Sequence, residues 1–89
     1  MTENERRGLV FPAALDVKAM GLNEPGFEPL VRDLVLPHVP ESAPHTVSTR
    51  ASRGGKYVSV RVRFTATSKA QLETIYRALH AEPRVLFTL

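Results

Sequence analysis

At 89 residues and 9.9 kDa, with no cysteine and a formal charge of +3, the chain has room for one domain and holds no disulfide, thiol nucleophile or cysteine-ligated metal. Hydrophobic residues make up 43% and charged ones 24%, which excludes collagen-like, low-complexity and wholly disordered classes. Charge is uneven: residues 1–41 hold four basic and seven acidic side chains, and residues 42–89 hold eight and two.

Residues 1–8 are polar, with nothing to bury, and are expected to form a flexible tail ahead of a single domain over 9–89. The uncharged run Gly8–Leu15 is interrupted by Pro12 and preceded by acids, so it reads as neither a signal peptide nor a membrane span, and a cytoplasmic location is expected. From Ala14 to Met20, Leu15, Val17 and Ala19 alternate with Asp16, Lys18 and Met20, which predicts a half-buried strand ending at Gly21. A loop follows. Phe27, Leu30, Val31, Leu34 and Val35 then keep helical spacing, with Pro29 tolerated in the first turn and Pro37 ending or kinking the helix near Leu36.

Val39–His45, with two prolines, is a connector. Thr46–Ser52 and Lys56–Ala66 predict a hairpin turned by Arg53-Gly54-Gly55. In its second strand Val58, Val60, Val62, Phe64 and Ala66 fall on one face, and Tyr57, Ser59, Arg61, Arg63 and Thr65 on the other. Ser68 and Gln71 have capping-box spacing ahead of a helix whose apolar stripe is Leu72, Ile75, Tyr76 and Leu79. After Pro83, Val85, Phe87 and Leu89 alternate with Arg84, Leu86 and Thr88 in a last strand.

This βαββαβ order predicts an α+β, ferredoxin-like sandwich: a four-stranded antiparallel sheet in spatial order 4-1-3-2 with two helices on one face. The expected core centres on Val17, Leu34, Val60, Val62, Phe64, Leu72, Ile75 and Phe87. The uncovered face is expected to carry Lys18, Met20, Tyr57, Ser59, Arg61, Arg63 and Leu86.

Phe11-Pro12, Lys18-Ala19-Met20-Gly21, the hairpin Ser52–Ser59 and the helix Leu72–Leu79 closely resemble the small bacterial YbeD-like proteins. The resemblance implies an ACT-like version of the ferredoxin fold and a lipoate-related regulatory role, and it carries over no catalytic residue. The chain departs from that pattern at Pro29 and Pro37, where the family tends to have a longer unbroken first helix. Asn23-Glu24-Pro25-Gly26-Phe27 is also similar to the Pro-Gly turn with which ACT domains hold a small carboxylate between subunits, which makes Asn23, Glu24, Gly26 and Phe27 candidate ligand contacts. A helix N-terminus there would present unpaired N–H groups, although Glu24 and Glu28 oppose an anion.

Between Glu41 and Glu73 there is no acid, so Arg50, Arg53, Lys56, Arg61 and Arg63, with Tyr57, form an alternative candidate surface for an anion or nucleic acid. Base stacking argues against RNA, because Tyr57 is the one aromatic suitably placed. His38, His45 and His80 lack metal-ligand spacing. No nucleophile elbow accompanies the serines, and the first loop lacks the arginine of acylphosphatases. The reading is a non-catalytic regulatory or binding protein, without cofactor or metal. Its partner is an unidentified protein or a small carboxylate, and it self-associates through the open face or a strand edge.

Overall fold

A computed structural model describes residues 10–89; the tail expected over residues 1–8 lies outside that range. The elements are β1 (Ala13–Leu22), α1 (Phe27–Val35), a 3-10 turn (Leu36–His38), β2 (His45–Ala51), β3 (Tyr57–Ala66), α2 (Lys69–His80) and β4 (Phe87–Thr88). The four strands form one antiparallel sheet in the order β2-β3-β1-β4. This is the ferredoxin-like arrangement that the order of elements predicts.

The sheet is built on β3, the strand with the cleanest alternation. Val58, Val60, Val62, Phe64 and Ala66 are all buried, and the residues between them face away from the helices. Ten residues of β1 pair with β3, from Ala13 opposite Ala66 to Leu22 opposite Tyr57, which puts Val17 and Ala19 in the core. Against this face α1 packs Phe27, Val31 and Val35, and α2 packs Ile75 and Leu79. Leu34 and Leu72, expected at the centre, are half-buried at its margin.

Two prolines shape α1. Pro29 sits in its first turn, where the missing N–H has no partner to lose. Pro37 cannot donate to the Asp33 carbonyl, and the chain tightens after Val35 into the 3-10 turn, closed by the Val39 N–H on the Leu36 carbonyl. At the start of α2, Ser68 Oγ accepts from the Gln71 N–H at 3.1 Å, as a cap should. Gln71 Oε1 reaches one residue further back than a standard capping box and takes the Thr67 N–H at 2.8 Å. Its Nε2 donates to the His38 carbonyl at 2.9 Å, tying the two helices together.

The last strand departs from expectation. Val85 packs on the core, but Thr88 pairs with the buried Ala19, and Phe87 pairs with Met20 on the opposite face. Val85 and Thr88 therefore both lie on the helix side although three positions apart, so the strict alternation expected over residues 84–89 fails. Phe87 is 63% exposed and is not a core residue. Its orientation is set by the pairing with β1: the chain leaves the Glu82–Val85 turn, and the Leu86 N–H bonds to the Met20 carbonyl at 2.8 Å.

Candidate functional site

Every buried side chain among the described residues is apolar, so the polar chemistry of the molecule lies on its surface. The helices leave one face of the sheet uncovered, and pairing register lays its side chains out in rows. Leu22 lies opposite Tyr57. In the next row Phe87, Met20, Ser59 and Arg50 run from β4 across to β2. In the third, Leu89 exchanges backbone hydrogen bonds with Lys18, which pairs with Arg61 and so with Ser48. Asp16, Arg63 and Thr46 form the fourth. The face is thus apolar toward β4 and cationic toward β2, with a concave trough of about 430 Å³ between Lys18, Met20, Arg50, Arg61 and Leu89.

Phe87 and Leu89 are 63% and 67% exposed, and Leu22 and Tyr57 join them at the surface. They take the place expected for Leu86, which instead lies at the edge of the molecule beside Leu22 and Pro83. Tyr76 on α2 helps to hold this end in place, its hydroxyl donating to the Leu89 carbonyl at 3.0 Å; burial pushes its phenol pKa up. Thr88 Oγ1 lies 2.8 Å from His80 Nε2 on the helix side.

The cationic residues do not act as one block. Asp16 accepts from Arg63 Nη1 at 3.1 Å and lies 3.7 Å from Arg61 Nε, so one carboxylate on β1 partly neutralises both arginines. Lys56 Nζ stands 5.4 Å from the Tyr57 ring centroid, in cation–π range. Arg50 and Lys18 line the trough with Arg61. Arg53 lies in the turn, where Gly54 and Gly55 both adopt positive φ, a conformation that glycine takes without steric cost. The turn is closed by the Ser52 N–H on the Tyr57 carbonyl and the Tyr57 N–H on Ser52 Oγ.

The loop before α1 is largely committed to structure. The Asn23 N–H donates to the Lys56 carbonyl at 2.9 Å and its Nδ2 to the Gly55 carbonyl at 3.0 Å, lashing the loop to the hairpin turn. Phe27 is a core residue, 3% exposed, with its ring against Gly21. Its N–H bonds to the Glu24 carbonyl, the Leu30 N–H bonds to the Gly26 carbonyl, and Pro29 has none. The Gly26 and Glu28 N–H groups are left to offer an anion, and Glu28 brings a carboxylate of its own, paired with Arg32. Glu24 and Gly26 are exposed. Among the described residues no three His, Asp or Glu side chains gather to hold a metal, and no helix is long and apolar enough to cross a membrane.

Residues 7–89 match the family model described as a protein of unknown function, DUF493. The chain belongs to the DUF493 family. A UPF0250 protein of Neisseria gonorrhoeae is 36% identical over 91 residues, covering 100% of both chains. UPF0250 proteins of Leptothrix cholodnii and Xanthomonas axonopodis pv. citri are 35% and 38% identical, covering 96% and 99% of this chain and 93% and 96% of theirs. The YbeD-like resemblance drawn from the sequence is to this same family of small bacterial proteins. The solution structure of HP0495 from H. pylori superposes with a TM-score of 0.70 at 15% identity, over 91% of this chain and 85% of that one, and so has the same fold. In this DUF493 member the sequence had already placed Met20, Lys18, Arg61 and Tyr57 on the uncovered face. It missed Phe87 and Leu89, because two adjacent apolar residues at 86 and 87 leave the orientation of β4 open.

Proposed function

We propose that this chain is a non-catalytic, ACT-like regulatory or binding protein of the cytoplasm, and that its working surface is the uncovered face of the sheet. The observation that carries this reading is the exposure of Phe87 and Leu89 on the same face as Met20, Leu22 and Tyr57. Isolated exposed apolar residues are ordinary, but a contiguous group on an uncovered face marks a place where something binds. Lys18, Arg50 and Arg61 around the adjoining trough suit a carboxylate, and Met20 and Leu89 suit an apolar tail. A small carboxylate of the kind the ACT resemblance implies, lipoate included, has the matching chemistry. Asn23, Glu24, Gly26 and Phe27 support this ligand role less well, since two of the four are held in the packing.

The test is an amide chemical-shift titration with amino acids, lipoate and other small carboxylates. The expected result is movement of Lys18, Met20, Ser59 and Arg61. Movement confined to Asn23, Glu24 and Gly26 would transfer the site to the loop, and no movement with any compound would remove the small-carboxylate reading. A second reading, anion or nucleic-acid binding by Arg50, Arg53, Lys56, Tyr57, Arg61 and Arg63, is favoured by the three cations at the trough and opposed by the Asp16 pairs. RNA binding that survives about 0.15 M salt, where surface charges are screened beyond roughly 8 Å, would decide for it.

A further inference from the structure

We infer that the natural occupant of the uncovered face is a segment of another protein in which apolar side chains are flanked by carboxylates. The inference rests on the reading of this face as the binding surface and specifies what covers it. Size is the first argument. The trough could be filled by a small molecule, but Phe87, Leu22 and Tyr57 lie outside its lining and would stay exposed. Only an occupant extending from β4 to β2 covers both the apolar corner and the cations.

Charge is the second. Among the described residues the face presents Lys18, Arg50, Arg61 and Arg63 against one side-chain carboxylate, Asp16, which already serves two of the arginines. A second copy packed over the trough through this same face would bring Lys18, Arg50 and Arg61 against their own kind, and like charges brought together at an interface disfavour that pairing. An acidic segment with apolar anchors reverses the sign of every such contact. The apolar residues would supply the buried centre and the cations the polar rim, the usual division of an interface.

The experiment places a photo-crosslinking phenylalanine analogue at position 87 of the full chain, and at position 77 on the exposed side of α2 as control, in a lysate of the native host. Adducts are sequenced by mass spectrometry. The expected result is a protein adduct specific to position 87 whose crosslinked peptide is apolar and net negative. Its yield should fall about tenfold in Lys18→Glu/Arg50→Glu, fall less in Lys18→Gln/Arg50→Gln, and drop with added salt as screening dictates. Both double variants replace side chains at the surface, and an unchanged melting temperature confirms that each is folded. Adducts at position 87 to nucleic acid, to a second copy or to a basic peptide, or yield indifferent to charge reversal, overturn the acidic-segment inference while leaving the face a binding surface. No adduct above the position-77 control overturns the acidic-segment inference, and the face then stands or falls as a binding surface on the chemical-shift titration.

Discussion

The two faces of β3 come from ten consecutive residues, yet they do opposite work. One side, Val58 to Ala66, is closed off by two helices; the other, Tyr57 to Thr65, is left open by the described residues. The comparison shows how a period of two separates a buried side from an open one within one strand. Residues toward the helices contribute free energy through burial, whereas those on the far side can vary in chemistry at little cost to the fold.

Substitutions can break that contrast. The largest effect is expected at Phe64, 2% exposed on the covered side: Phe64→Ala should lose about 3–5 kcal/mol in denaturant unfolding. A loss below about 1 kcal/mol would mean that the covered side is not the source of stability. Next comes Gly21, where an added Cβ would run into the Phe27 ring and lie 2.6 Å from the Arg84 carbonyl. Gly21→Ala should cost about 1–3 kcal/mol, because backbone on one side and a core ring on the other leave little room to relax. Ser68→Ala should lose about 0.5–2 kcal/mol through the α2 cap alone. The smallest effect sharpens the comparison most. Phe87→Ala removes the same side chain as Phe64→Ala but should shift stability by no more than about 0.5 kcal/mol, as surface positions do. A thermal or denaturant melt of Phe87→Ala that matched Phe64→Ala would show Phe87 packed inside, and with it the proposed binding face would lose its main anchor.

A second contrast, between β3 and β4, explains what was legible in the chain. In β3 every apolar residue alternates with a polar one, so the inward side could be assigned with no partner in view. Around β4, Val85, Leu86, Phe87 and Leu89 are all apolar and alternation carries no information; the pairing of Ala19 with Thr88 settled the matter. The candidate loop shows the same limit. Asn23 reads as a polar side chain open to a ligand, but its amide is held by Gly55, 32 residues away in sequence. Phe27 reads both as part of the apolar stripe of α1 and as a candidate ligand contact, and its burial against Gly21 makes it a core residue.

By itself, then, the amino-acid sequence determined the element order, the strand order of the sheet, the inward faces of β1 and β3, the cap at Ser68 and the stop at Pro37. The strand order follows from the element order and the rules of chain connection, and the rest from local spacing or the stereochemistry of single residues. Tertiary structure alone decided that Phe87 and Leu89 join Met20 on the uncovered face, that Asp16 tempers Arg61 and Arg63, and that Asn23 is bound to the hairpin turn. Each depends on which distant backbone lies alongside, and that is fixed by pairing and packing across the whole sheet, beyond the reach of any window of neighbouring residues.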